Sequence, residues 1–372
     1  MKPSGRVNEI DLLRFLAAMA VVLFHYAFRG YAADGLSSMN YALLAPVARY
    51  GYLGVDLFFM ISGFVILAAA TNAGIKGFVV SRCVRLYPAF WACCTITFLM
   101  TLLFGRGRFS ASGMQYIVNM ITLGGEVYGF KPIDGAYWSL QVELRFYALV
   151  AIALLAGKMH RAQMLLWIWL VATIFTNIAV LITLNSFLLV TFIKLYDFLV
   201  AGYSSFFIAG AAFCLVRQYG LSLNRAALLV AAWGLAVLTS IAPLPTMNDH
   251  YGVEVSRSIV ALSITAFFGI LLLVSLRCTG WWGRRDWFWL GSLTYPLYLV
   301  HQNVGFMIFN MAYPAMNQHV LFWGTVFLTL GLAWGVQVGI EERYAPVLKR
   351  SFMRVLDLKG GRAVRKEAIN GE

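Results

Sequence analysis

Ten apolar segments, each long enough to cross a bilayer, constrain this chain more than any other feature. A membrane-spanning helix needs about 20 predominantly apolar residues. Hydrophobic residues make up 61% of the 372 residues and charged residues only 12%, too few to cover the surface of a soluble fold. We therefore predict an all-α integral membrane protein. The segments run approximately over 9–29, 51–71, 86–104, 138–156, 164–184, 199–216, 226–242, 257–276, 288–312 and 319–341.

The distribution of basic residues predicts an orientation. The net charge of +13 would suggest a nucleic-acid partner in a soluble protein. With the N-terminus inside, however, the cytoplasmic segments carry 20 Lys and Arg and the outside segments seven, while Arg14 and Arg145 fall within spans. Cytoplasmic loops of membrane proteins carry such an excess. We predict that both termini are cytoplasmic and that no nucleic acid is bound.

The sequence predicts one domain followed by a tail. We expect residues 1–342 to form a transmembrane domain and residues 343–372 to form a basic cytoplasmic tail that lies along anionic membrane lipids. The longest outside loop, 105–137, is interpreted either as a lid that recognises an acceptor or as a plain connector. The last span carries three glycines at four-residue spacing, which predicts close helix packing. They are Gly331, Gly335 and Gly339.

Ionisable residues within the first two spans are candidates for function, because their charges are costly in a membrane. Arg14 and His25 are eleven residues apart, which places them on one helix face and about 16 Å from each other. Asp56 lies toward the outer end of the second span. The alternatives are an arginine that reaches the interface, a structural histidine and a helix cap.

Further polar groups lie near the third and fourth spans. Arg82 and Arg85 precede the third span and, if helical, are one turn apart, so they either grip phosphates together or follow the positive-inside rule. Ser139, Glu143 and Tyr147 recur at four-residue spacing and share one face of the fourth span.

The ninth span adds Tyr298 and His301, one turn apart and near the middle of the membrane. Nucleotide-binding loops, hydrolase elbows and cysteine-based metal motifs do not occur in the sequence, and we predict no metal site.

Five of these segments, in this order, resemble the motifs of the acyltransferase-3 family of integral membrane acyltransferases. Members of that family acylate O-antigens, exopolysaccharides, peptidoglycan, nodulation factors and some antibiotics. The resemblance extends from Glu9 to about Pro346. The segments are the Arg14-to-His25 pair, Gly54–Phe64, Ser81–Pro88, Trp138–Tyr147 and Tyr295–His301.

The sequence also departs from the family pattern. Ser81 stands where many members have a further arginine, and Leu144 stands where a second acid is common, which leaves Glu143 as the acid of that motif. The SGNH-hydrolase-like domain that some members carry has no counterpart in this sequence. We therefore expect transfer to be completed in the membrane domain or by a separate protein.

The resemblance implies transfer of an acyl group, most often acetyl, from cytoplasmic acyl-CoA to a hydroxyl of a glycan or lipid-linked saccharide. It implies acyl-CoA as a co-substrate, no bound cofactor and a multi-pass location in the inner (cytoplasmic) membrane. A transporter or flippase remains the alternative, as does an exporter of acyl groups that serves a separate transferase.

The resemblance also implies roles for the polar residues. His25 would act as the base or would itself carry the acyl group covalently, and Asp56 or Glu143 would orient it or share its proton. Arginines would bind the donor, and Tyr298, Ser139 or a backbone amide would stabilise the oxyanion. The predicted catalytic residues are His25, Glu143 and Asp56, the donor-binding residues are Arg14, Arg82 and Arg85, and the supporting residues are Ser139, Tyr298 and His301.

Overall fold

The computed structural model describes residues 6–33, 35–71, 74–126, 129–183 and 185–354. Over these residues all regular structure is helical, apart from one isolated bridge between Arg106 and Phe109. The main helices are α1 (Asn8–Ala32), α2 (Leu53–Ala70), α3 (Ile75–Phe104), α4 (Gly113–Thr122), α5 (Gly135–Leu155), α6 (Met159–Ile182), α7 (Ser186–Phe198), α8 (Ser204–Tyr219), α9 (Leu223–Tyr251), α10 (Arg257–Ser275), α11 (Phe288–Ala312) and α12 (Gln318–Arg354).

Each of the ten predicted spans is a helix, which confirms the fold class. Eight of them are long and apolar enough to cross a membrane by length and composition. The other two are α8, which has 16 residues, and α11, which has 25 residues and carries the polar run His301, Gln302 and Asn303. Both of these helices are buried along most of their length, so their polar groups face protein rather than lipid.

The centre of the bundle is held by close packing of α8 against α2 and of α11 against α1, α3 and α12. At the crossing of α2 and α8, a Cβ on Gly210 would overlap the carbonyl oxygen of Met60, and a Cβ on Gly63 would overlap that of Phe207. Only glycine permits backbones to approach so closely. This crossing holds α2 in place, which is the helix that carries Asp56 and Ser62.

Several boundaries differ from those predicted. Helix α3 begins at Ile75, eleven residues before the predicted start, so Arg82 and Arg85 lie within a helix and not in a loop. The predicted outside loop 105–137 contains a helix, α4, which begins with a capping box between Ser112 and Gln115. Helix α7 was not predicted at all.

The last helix departs from the predictions in two ways. It continues to Arg354, so the predicted boundary at 342 falls inside a helix, and the rest of the tail lies outside the described residues. A Cβ on any of its three glycines would meet no heavy atom of the described residues within 4 Å beyond its own stretch of helix. The glycines line an apolar groove of about 970 Å³ between α3 and α12. The prediction that they pack closely is wrong for contacts within this chain.

Candidate active site

The two membrane histidines contact each other directly. His25 opens a short π-helical turn, His25–Arg29, within α1. Its Nδ1 lies 2.8 Å from the carbonyl oxygen of Val21 and 3.1 Å from Nε2 of His301, and Nδ1 of His301 lies 2.8 Å from the carbonyl oxygen of Tyr298. A π-helical turn widens the helix locally and often accompanies a functional residue.

The carbonyl partners assign the positions of the protons on both rings. A carbonyl oxygen only accepts hydrogen bonds, so Nδ1 of His301 donates to Tyr298, and Nε2 of neutral His301 is an acceptor. Nδ1 of His25 then donates toward Val21 and His301. The unprotonated nitrogen of neutral His25 is therefore Nε2, which receives no hydrogen bond from the residues that the structure describes.

His25 lines a cavity of about 820 Å³, here called the His25 cavity. Asp56 and Tyr298 also line it, so the structure brings three of the predicted site residues to one space. Its wall combines aromatic rings with charged groups. The aromatic residues are Phe24, Tyr52, Trp138, Tyr196, Tyr203, Phe206, Tyr251 and Tyr298, and the charged residues are Arg29, Asp56, Arg145 and Asp197.

A second and much smaller cavity, of about 60 Å³, lies on the other side of Tyr298 and is here called the Arg14 cavity. Within it, one carboxylate oxygen of Glu143 accepts hydrogen bonds from Ser62 Oγ and from the hydroxyl of Tyr147, both at 2.7 Å. Nε of Arg14 is buried and has no hydrogen-bond partner in the described part of the chain. An unsatisfied buried donor is costly, so it marks a position where a ligand can gain binding energy.

Tyr298 and Val55 line both cavities. The hydroxyl of Tyr298 lies 2.7 Å from Ser139 Oγ, and either oxygen can be the donor. The one proton of Ser139 Oγ points either to the carbonyl oxygen of Ala136, 3.3 Å away, or to Tyr298. In the second case the proton of Tyr298 is free to point toward a substrate. The two predicted supporting residues therefore form one hydrogen-bonded pair at the boundary between the cavities.

Positive charge gathers at the end of the bundle where α1 and α3 begin. Arg85 is exposed and interacts electrostatically with Arg14. The guanidinium of Arg82 lies 5.9 Å from the ring centre of Phe78 and 5.8 Å from that of Tyr147, which holds it against α5. The three predicted donor-binding arginines thus lie in one region.

Glu143 forms its hydrogen bonds away from His25, whereas Asp56 lines the same cavity as His25. Glu143 bonds Ser62 and Tyr147 in the Arg14 cavity, and Nδ1 of His25 is occupied by Val21 and His301. The position from which a carboxylate would orient the imidazole is therefore filled by a neutral histidine.

Sequence reasoning missed Asp134, which anchors the loop before α5. Its carboxylate accepts hydrogen bonds from the backbone N–H groups of Ala136 and Asn303, both at 2.9 Å, and the Asn303 side chain donates to Ile133 O at 2.8 Å. Burial raises the pKa of Asp134 to about 6, although these two N–H donors favour its charged form. The only sequence signal was an Asp-Gly pair, which is typical of any turn.

Arg29 and Arg145 in the wall of the His25 cavity were also missed as site candidates, because Arg29 was counted only as an outside basic residue and Arg145 only as one that falls within a span. Among the residues that the structure describes, no three His, Cys, Asp or Glu side chains converge as metal ligands.

Comparison with known proteins gives the family. A curated protein named Nodulation protein 10, from Rhizobium leguminosarum bv. viciae, is 28% identical over 168 residues, which cover 39% of this chain and 43% of that protein. No solved structure matches this chain. The family model described as an acyltransferase domain (Acyl_transf_3) matches residues 7–338, nearly the whole membrane bundle. The chain therefore belongs to the acyltransferase-3 family, and its long apolar helices are those of a multi-pass membrane protein.

Proposed function

We propose that this protein transfers an acyl group, acetyl by preference, from acyl-CoA to a hydroxyl of a glycan or lipid-linked saccharide. One observation carries the proposal. The unprotonated Nε2 of His25 is available at a large cavity of mixed aromatic and polar character, and that cavity meets an arginine-lined cavity at Tyr298.

The His25 cavity suits a saccharide acceptor. Its volume of about 820 Å³ falls in the range of small-molecule sites, roughly 300–1,000 Å³. The rings of Trp138 and Tyr203 pack with their centres 5.4 Å apart, inclined at 39°, and offer apolar ring faces to the carbon face of a sugar. Asp56 and Asp197 supply acceptors for sugar hydroxyls.

The arginine-rich end suits the donor. Arg82 and Arg85 are nearly one helical turn apart on α3, and guanidinium groups bind phosphate in pairs of charge-assisted hydrogen bonds. The pantetheine arm would then widen the Arg14 cavity as it binds, pass the buried Nε of Arg14, which has no hydrogen-bond partner among the described residues, and bring the thioester to Tyr298.

The chemistry follows from the proton positions. Nε2 of His25 takes the proton of the acceptor hydroxyl while the oxygen attacks the thioester carbonyl. Tyr298, or a backbone amide, donates a hydrogen bond to the oxyanion that forms. When the intermediate collapses, the carbon–sulfur bond breaks, and the thiolate of CoA takes the proton back from His25. The products are the ester and free CoA, and the base is restored.

The proposed location is the inner (cytoplasmic) membrane, with both termini in the cytoplasm. The support is the excess of Lys and Arg in alternate connecting segments. In this orientation the arginine-rich end faces the cytoplasmic pool of acyl-CoA, and the His25 cavity opens on the opposite face of the membrane.

A reconstituted transfer assay tests the proposal. Purified protein in liposomes is given acetyl-CoA labelled in the acetyl group, with or without envelope glycans from the source cells. We expect release of CoA that depends on glycan, together with labelled glycan, and neither product from the His25→Ala variant. Movement of glycan or acetyl groups across the membrane without formation of an ester would instead support a transporter or an exporter.

A further inference from the structure

His301 is fully buried, yet it bonds a catalytic candidate on another helix. It lies in α11 and has no exposed surface. One ring nitrogen bonds its own helix at Tyr298, and the other faces His25 at 3.1 Å, with the two ring centres 4.9 Å apart. A histidine needed only for packing could form a hydrogen bond to its own helix through one ring nitrogen, as His301 does. It would not need a second hydrogen bond from the other nitrogen to His25.

The backbone around His301 is also fixed. The hydroxyl of Tyr26, the residue that follows His25, donates to the carbonyl oxygen of His301 at 2.7 Å. Gly305 lies so close to Tyr26 that a Cβ at that position would overlap its ring. Neighbouring residues of α1 and α11 thus hold the two imidazoles in one relative position.

Resting on the acyl transfer proposed above, we propose that His301 is the positioning residue of His25. As a neutral acceptor, Nε2 of His301 fixes the Nδ1–H tautomer of His25 and turns Nε2 of His25 toward the hydroxyl of the acceptor. This is the position that a carboxylate occupies in a Ser-His-Asp arrangement.

The choice of a neutral partner has a chemical consequence. A carboxylate at this position would favour the protonated imidazole and would add a charge to the membrane interior. A neutral imidazole accepts the same hydrogen bond without adding charge to the membrane interior. When His25 takes the proton of the acceptor, its Nδ1–H becomes a stronger donor, so the bond to His301 strengthens as the reaction proceeds.

Two variants of His301 test this role, because they differ in reach and not in polarity. In His301→Gln the side-chain amide oxygen can occupy the position of the original Nε2. In His301→Asn it cannot extend that far. We expect His301→Gln to keep turnover within about 3-fold of wild type and His301→Asn to lose about 10- to 100-fold, the usual cost of removing a group that orients a functional imidazole. The KM of the acceptor and the Kd of the donor should change less than 2-fold in both.

Tyr26→Phe removes a hydrogen bond to the backbone of His301 and leaves both rings in place, so we expect a loss of turnover smaller than that of His301→Asn. A double-mutant comparison completes the test. In a His25→Ala background, His301→Asn should cost nothing further, because His301 acts only through His25.

The outcomes separate this inference from the proposed function. Absence of glycan acylation by the wild-type protein contradicts the proposed function. If the wild-type protein acylates glycan and depends on His25, equal turnover of correctly folded His301→Gln and His301→Asn variants overturns the positioning role alone. Additive losses from His25→Ala and His301→Asn overturn that role as well. Thermal melting and donor binding of each purified variant establish that it is folded.

Discussion

The two cavities that meet at Tyr298 differ in size and in how their polar groups are satisfied. The His25 cavity is about 820 Å³, and its base is held at Nδ1 with Nε2 free. The Arg14 cavity is about 60 Å³, room for about two water molecules at their share of liquid volume. There Glu143 accepts hydrogen bonds from two hydroxyl groups, whereas Nε of Arg14 has no hydrogen-bond acceptor among the described residues.

Under the proposed function, this difference separates recognition of the donor from the proton transfer. The small cavity cannot hold a nucleotide, so the proposal places the charged part of the donor outside it, near Arg82 and Arg85. The large cavity has space for an acceptor beside the base. Substitutions on the two sides of Tyr298 should therefore affect different kinetic constants.

Removal of the base should have the largest effect. Loss of a general base costs about 10²–10⁴ in rate, so His25→Ala should lower turnover by that factor and leave the Kd of acyl-CoA unchanged. Initial rates and donor titrations of the purified protein measure the two quantities.

His319→Ala is the control for losing a histidine away from the site. That residue bonds the hydroxyl of Tyr41 and lines neither cavity, so its loss should leave turnover unchanged. Turnover of His25→Ala near the wild-type rate would move the chemistry to another residue.

Removal of the two arginine charges should have the next largest effect, on donor binding alone. Each charge-assisted hydrogen bond contributes about 1.5–3 kcal/mol, so Arg82→Gln combined with Arg85→Gln should raise the Kd of acyl-CoA by about 10-fold or more. Glutamine is chosen because it keeps a long side chain in the helix, where Arg82 packs against Phe78 and Tyr147.

Lys76→Gln is the matched control, since it removes an exposed charge from the first turn of the same helix. Equal donor affinity in the double arginine variant and wild type would exclude these arginines from the donor site. A comparable loss in Lys76→Gln would mean that overall charge, and not a specific pair, attracts the donor.

Loss of an aromatic wall should produce a smaller effect, on the acceptor alone. Stacked aromatic contacts contribute about 0.5–1.5 kcal/mol, so Trp138→Ala should raise the KM of the acceptor by about 2- to 10-fold without a change in donor Kd. Trp334→Ala, which removes an exposed tryptophan that lines neither cavity, should leave both constants unchanged. A change in donor Kd alone in the Trp138 variant would contradict the division between the cavities.

The positions of the helices could be predicted from the sequence because a bilayer demands long apolar runs. The start of α3 could not, since Arg82 and Arg85 interrupt the apolar run although the helix continues through them. Hydropathy reports where lipid begins, whereas a helix ends where its backbone hydrogen bonds end.

The composition of the site was predicted better than its contacts. The polar residues within spans do line the two cavities or lie beside them. The bond between His25 and His301 joins residues 276 positions apart, and their depths were inferred by counting along straight helices. A π-helical turn after Phe24 and Pro296 within α11 make that count unreliable. The spacing of motifs therefore indicated residues that lie near one another, but not which of them touch.

The last prediction changes no activity and concerns the face of the membrane on which each cavity opens. In the predicted orientation, residues 243–256, which form the end of α9 and its connection to α10 beside the His25 cavity, are outside. Lys158 is inside. Thr246→Cys and Lys158→Cys both place a thiol at an exposed position, in a background from which Cys83 and the exposed Cys278 have been removed. An impermeant thiol reagent added to intact cells should label Cys at 246 and spare Cys at 158 until the cells are permeabilised. The reverse pattern would put the base and its acceptor in the cytoplasm together with acyl-CoA, and the two cavities would then no longer connect a cytoplasmic donor with an outer acceptor.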